Sequence, residues 1–168
     1  MLQRIKIVAS IKNGKKEKNH HNFYGKYANV VSKCLKKPVF LKFLYGLLNG
    51  EKIQKKQVKN VQIRMFPLIK NDGNYLIGKC NTHGEIFLYP KRLGICRKKI
   101  NTMKPESFIR YVEGRARASL IHELLHLKYE RDENTVKQLT KKYFTIFGRN
   151  QNSKLSDITK YNKMIFNY

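Results

Sequence analysis

The chain has 168 residues, with 36 Lys or Arg against 11 Asp or Glu, for a formal net charge of +25. That length supports one domain, and 41% hydrophobic residues suffice for a core, which excludes wholesale disorder. The longest apolar run, residues 39–48, is broken by Lys42 and Gly46 and is too short to span a bilayer as a helix. No charged-then-apolar segment with a small-residue cleavage site opens the chain, so no secretory leader is expected. Cys34, Cys80 and Cys96 are odd in number and lack CxxC spacing. They argue against a disulfide framework or a four-cysteine metal site and leave a reducing cytoplasm as the expected compartment. The basic excess suits a partner rich in negative charge: DNA, RNA or an anionic membrane surface. A coding bias toward lysine would leave the same excess merely solvated.

Ile5, Ile7 and Ala9 alternate with polar residues and predict a short strand, followed by a polar loop at 13–22. Residues 1–22 thus read as an N-terminal strand and basic loop. Tyr27, Val30, Val31, Cys34 and Leu35 recur at helical spacing and predict a helix over 23–35. Pro38 suits the first turn of a second helix over 39–48, which Asn49-Gly50 ends. Residues 51–60 read as a basic linker. Val61, Ile63 and Met65 alternate as in a strand, and Asn71-Asp72-Gly73-Asn74 is a turn signal. Strands over 75–79 and 85–89, joined by a turn at 81–84, predict a small antiparallel sheet. A connection holding Cys96, Lys98 and Lys99 leads to Pro105. The longest predicted helix covers 107–129, with Gly114 as a point of division. Asp132 is placed as the N-cap of a last helix over 133–147, whose apolar stripe is Val136, Leu139, Tyr143 and Ile146. The organisation expected is one domain over 23–148 and a polar tail over 149–168, whose Ile165 and Phe166 can tuck back.

Acid is concentrated where base is spread. Glu123, Glu130, Asp132 and Glu133 place four of the eleven carboxylates in one eleven-residue window, together with His122 and His126. The run His122-Glu123-Leu124-Leu125-His126 is HExxH. On a helix, positions i and i+4 share a face, so both imidazoles reach one metal ion. Glu123 sits beside them, able to take a proton from an attacking water without being a ligand. Two imidazoles plus a carboxylate with one open position make zinc the expected ion. Leu120, Ile121, Leu124 and Leu125 cover about half the helical wheel, so the histidines fall at the edge of a buried arc. The plain alternative is an amphipathic helix with two histidines and a salt-bridged Glu123.

Residues 122–132, HELLHLKYERD, resemble the zincin metallopeptidases, and within them the SprT-like and YgjP-like groups. The resemblance is strong over about a dozen residues and loose over 75–147. It implies His122 and His126 as metal ligands, Glu123 as general base and Zn2+ as cofactor. The third ligand is where the chain departs: such families commonly carry His six residues after the second motif histidine, and here Asp132 stands there. Asp132 and the adjacent Glu133 are equal candidates, Asp132 having the cap as its plain role and Glu133 a favourable charge at a helix start. The metzincin-type glycine is also lacking, since Tyr129 occupies its position, so the turn after His126 is expected to take another path. The resemblance further implies that a polypeptide substrate pairs with the strand before the motif helix. That strand would be Glu85, Ile86, Phe87 and Leu88.

The expectation is therefore an α+β, zincin-like fold: N-terminal helices, a short antiparallel sheet with an edge strand, the HExxH helix and a following helix. It would act as a monomeric cytoplasmic zinc metallopeptidase on polypeptides, some of them associated with nucleic acid. The alternatives are a non-catalytic basic nucleic-acid-binding protein, for which Phe23-Tyr24-Gly25-Lys26-Tyr27 offers stacking groups, and a metal-free relic of a zincin. His83, in the turn before the expected edge strand, reads as exposed. Tyr89 and Tyr129 are hydroxyl donors for an oxyanion or else packing residues.

Overall fold

In the computed structural model, which describes residues 5–10, 20–151 and 154–166, strand β1 (Ile7–Ser10) precedes helices α1 (His21–Leu35) and α2 (Pro38–Gly50). Strands β2 (Asn60–Arg64), β3 (Gly78–Cys80) and β4 (Glu85–Leu88) follow, then α3 (Leu93–Thr102), α4 (Pro105–Tyr129), α5 (Glu133–Asn150) and α6 (Leu155–Phe166). The fold is mixed α+β. Most of the loop expected at 13–22 lies outside the described residues. Pro38 and Pro105 each stand in the first turn of a helix, where the missing N–H has no helical partner to lose.

The sheet runs β1-β2-β4-β3. β1 pairs with β2 in parallel, Ile7 opposite Val61, and β2 with β4 in parallel, Val61 opposite Ile86. β3 pairs with β4 antiparallel, Lys79 opposite Phe87. The expected antiparallel sheet is thus a mixed one. A tight turn reverses the chain, and the turn at 81–84 does so between β3 and β4. The β1–β2 connection instead passes through α1 and α2, which return the chain to its starting end. Asn81 shapes the turn, its Oδ1 accepting from His83 N at 3.0 Å and Glu85 N at 2.9 Å. Gly84 turns with φ +78°, and a Cβ there would lie 1.9 Å from the Gln57 carbonyl oxygen.

The order also corrects the expected edge strand. Leaving β2, the chain skips one place, forms β3 and comes back in the gap as β4. Glu85, Ile86, Phe87 and Leu88 therefore lie inside the sheet between β2 and β3, with Ile86 and Leu88 buried. The edge is β3. It is shorter than expected because Tyr75 bridges back to Ile69 across the 71–74 turn, where Asp72 accepts from Asn74 N at 2.9 Å.

Helix α4 packs against α1, α5, α6, β3 and β4. Its Leu120, Ile121, Leu124 and Leu125 are fully buried with Leu35, Phe40, Leu44, Leu48, Val61, Ile86 and Val136. Each such side chain contributes about 1.5–3 kcal/mol on burial. The stretch read as a connection at 91–104 holds α3, with Leu93 and Cys96 buried. Gly114 does not divide α4, which is continuous; it is the seat of α6. A Cβ at Gly114 would lie 2.2 Å from Tyr161 Oη and 2.8 Å from Ile165 Cδ1. Tyr161 Oη donates to the Arg110 carbonyl at 2.7 Å. Nor do the described residues of the expected polar tail stand apart from the core: α5 continues to Asn150, and α6 docks with Ile158 buried and Phe144 ringed by Tyr161 and Phe166. Among the described residues no helix is long and apolar enough to cross a membrane.

Gly114→Ala is expected to destabilise the protein by about 1–3 kcal/mol in urea denaturation, because the methyl and the Tyr161 ring cannot share the space. Limited proteolysis should cut the variant first within 151–166, and an unchanged cleavage pattern would refute the seat.

Candidate metal centre

His122 and His126 lie one turn apart on α4, half-buried at the floor of a cleft of about 570 Å³. Their Nε2 atoms are 3.1 Å apart. The Glu133 carboxylate, from the first turn of α5, reaches both: Oε1 is 3.4 Å from His122 Nε2 and Oε2 is 3.3 Å from His126 Nε2. Three donors bound to one ion at about 2.0–2.1 Å with tetrahedral angles would stand roughly 3.3 Å apart. The triangle therefore fits a small divalent cation, with the remaining direction open to the cleft. Among the described residues these three form the group of His, Cys, Asp and Glu side chains able to hold a metal.

The other ring nitrogens show which atoms are free to ligate. The Thr140 hydroxyl donates to the Val136 carbonyl at 2.7 Å, so toward His122 Nδ1, at 3.4 Å, it is an acceptor. His122 Nδ1 then carries the proton and Nε2 the lone pair. His126 Nδ1 lies 2.6 Å from the Glu130 carbonyl oxygen, which can only accept, and this sets the same tautomer. Burial, with the charges of His126 and Lys137, holds His122 below its ordinary value against the pull of Glu133, and so keeps it neutral as a ligand must be.

Asp132 and Glu133 part company here. Asp132 Oδ1 accepts from Thr135 N at 3.1 Å and caps α5, and the Thr135 side chain, then its N–H, hold the carboxyl below the usual range. With Asp132 as the cap, Glu133 is the residue turned toward the histidines. The intervening turn takes Glu130 to φ +49° and ψ −110°, left-handed backbone that a non-glycine residue enters at a cost of about 1–3 kcal/mol. That strained peptide presents its carbonyl to His126.

Glu123 is buried beside the triangle. Burial first, then the Glu133 carboxylate, push it up to about 7, while Lys70 pulls the other way. Its carboxylate occupies the space that a side chain at residue 78 would need: a Cβ on Gly78 would lie 2.7 Å from Glu123 Oε1 and 2.9 Å from its Cγ. Gly78 thus lets edge strand β3 run against the Glu123 carboxylate, and composition offered no sign of it. His83 is exposed and does not line the cleft. Tyr89 and Tyr129 do not line it either; Tyr75 and Tyr111 do.

A second residue, and a polar one, escaped the sequence reading. Glu51, placed in a basic linker, is 7% exposed and is tied to the far end of α4 and to α5. It accepts from Lys128 Nζ at 2.9 Å, from Tyr129 Oη at 2.7 Å and from Tyr143 Oη. Burial opposes its ionisation, but the three donors together outweigh burial and hold the carboxyl below its ordinary value of 4.5. The tie fixes the angle between α4 and α5, and hence the reach of Glu133 to the histidines.

A carboxyl lowered on folding contributes stability that is complete above its ordinary value and lost as pH falls through the lower folded value. Glu51→Gln should therefore cost about 1.5–3 kcal/mol at pH 7, with a difference from the parent that shrinks below pH 4.5. Urea denaturation across pH 3–7 checks this, and a difference independent of pH would refute it. Comparison with protein family models, curated proteins and solved structures finds no match, so the reading of this centre rests on its own geometry.

Proposed function

We propose that the protein is a zinc-dependent peptidase whose ion is held by His122, His126 and Glu133. The observation that carries the reading is the triangle of two Nε2 atoms and one carboxylate at 3.1–3.4 Å, with Glu123 buried beside it in an open cleft. Two imidazoles and one carboxylate suit Zn2+ among the common divalent ions. When bound, zinc supplies Lewis acidity that activates water and polarises a carbonyl. Glu123 takes the proton of the attacking water and returns it to the departing amine. Its burial keeps the carboxyl within reach of both states near neutral pH. The resemblance of 122–132 to zincins agrees with these roles.

Edge strand β3 supports a polypeptide as substrate. Among the described residues no strand pairs with its outer side, and Gly78 brings that edge against Glu123. An extended peptide added there would carry its carbonyl past the base. This moves the substrate strand from residues 85–88 to residues 78–80. The net charge of +25 favours targets held near nucleic acid, without assigning that role to any one face. A purely polyanion-binding protein has no use for Glu123 and Glu133 gathered at the floor of its cleft.

Purified protein is expected to carry about one zinc per chain by elemental analysis, as befits a single mononuclear site. Glu123→Gln should retain the metal and lose hydrolysis of an unfolded protein by at least ~100-fold. His126→Ala should lose both. Failure to bind zinc without chelators present would sink the proposal. Gly78→Ala should keep the metal and lower kcat/KM by roughly 10–100-fold, because the added methyl displaces Glu123; full activity would show that β3 does not set the position of the base.

A further inference from the structure

The cleft has two ends of different charge pattern. One holds Glu123, Glu133 and the histidines, with Lys70 and Lys137 beside the two carboxylates. At the other, two turns back along α4, stand Arg115, Lys91 and Lys99 beside the ring of Tyr111. Among the described residues no Asp or Glu besides Glu123 and Glu133 lines the cleft. None of the three cations is in an ion pair among those residues.

Arg115 is 8% exposed. Its Nη1 donates to the Tyr89 carbonyl at 2.7 Å and to Tyr27 Oη at 3.4 Å, yet its Nε is buried with no hydrogen-bond partner. A buried guanidinium with an idle donor and no carboxylate is costly to keep. Lys91 and Lys99 are half-buried, and Lys99 Nζ stands 4.4 Å from the centre of the Tyr111 ring. Burial, then the charges of Arg115 and Lys99, hold Lys91 below its ordinary value. The three cations repel one another in a concave site of reduced dielectric, and an anion among them would relieve that repulsion.

We infer that Arg115, Lys91 and Lys99 form a subsite for a carboxylate of the peptide substrate. The inference rests on the peptidase reading of the metal centre. Arg115 and His122 are seven residues apart on one helix, roughly 10 Å at 1.5 Å per residue. An extended peptide covers that distance in about three residues. The recognised group is thus an acidic side chain about three positions from the cleaved bond, or a C-terminal carboxylate at that place. A nucleic acid strand is a poorer occupant, because at the other end a run of phosphates would meet Glu123 and Glu133, whose charge Lys70 and Lys137 only balance. A peptide sets one carboxylate among neutral groups and avoids them.

The test uses the zinc-loaded Glu123→Gln protein, which cannot turn over its ligand, and fluorescein-labelled hexapeptides of Ala and Leu. A single Glu is moved through the peptide, with Gln at the same place as its neutral match, and each peptide is made as C-terminal acid and amide. Anisotropy should show one position at which Glu binds roughly tenfold more tightly than Gln, or the acid than the amide, the latter marking a C-terminal carboxylate. The preference should vanish in the Lys91→Met, Lys99→Met double variant, whose melting curve reports that it remains folded; these lysines are used because Arg115 is too buried to replace safely. Equal affinity of charged and neutral peptides at every position would overturn the subsite. So would a preference that survives the double variant, or a single-stranded oligonucleotide that binds through these lysines more tightly than any acidic peptide. A carboxylate preference in protein that fails to retain zinc would uphold the subsite and remove the peptidase reading instead.

Discussion

Helix α4 is enclosed along most of its length by α1, α5, α6 and the β3–β4 hairpin, and that enclosure constrains everything else. A helix buried on so many sides must give each polar side chain a partner or an opening. Arg115 meets the Tyr89 carbonyl, Ser119 bonds back to the Arg115 carbonyl at 2.7 Å, and His122 and His126 face the Glu133 carboxylate. These residues, at spacings of three, four and seven, define one strip of α4, and the strip is the floor of the cleft. The cleft exists because the apolar residues of α4 have taken up every other direction.

The second constraint is the angle at which α5 leaves α4. Three features set it together: the left-handed turn at Glu130, the Asp132 cap, and the Glu51 carboxylate gripping Lys128, Tyr129 and Tyr143 from the end of α2. In a chain of net charge +25, one buried carboxylate surrounded by a lysine and two phenols draws together three helices that also share an apolar core. Glu133 is half-exposed and has little packing of its own to hold it. Its position depends on that frame.

The histidine pair and its neighbour Glu123 were legible in the sequence because they depend only on helical spacing, which is local. The choice between Asp132 and Glu133 was not, since either role suits either residue until the cap hydrogen bond to Thr135 is seen. The β3–β4 turn was legible from Asn81 and Gly84, but the sheet order was not: no residue type marks a strand that skips a place and fills it on return. Glu51 was hidden among four lysines, where an acid reads as one more solvated charge. Gly114 and Gly78 illustrate the same limit from the other side. Gly114 looked like a break in a helix and Gly78 like an ordinary strand residue, and each is instead a vacancy for a side chain distant in sequence, Tyr161 in one case and Glu123 in the other. Helix α6 was hidden in what reads as a polar tail, because its apolar residues, Ile158, Tyr161, Met164 and Ile165, are spread thinly among lysines and asparagines.

The turn at Glu130 bears on how such a centre would be inherited. The group that orients His126 is a main-chain carbonyl, while the Glu130 side chain is exposed and makes no contact that orients the ring. Residue 130 can therefore drift through many identities while the support it gives stays the same. The converse also holds for Thr140, whose hydroxyl is the whole of its contribution to His122. Two histidines of identical spacing and identical tautomer are thus subject to unequal selection: one relies on a named side chain, the other on a backbone shape that leaves no trace in an aligned column of residues.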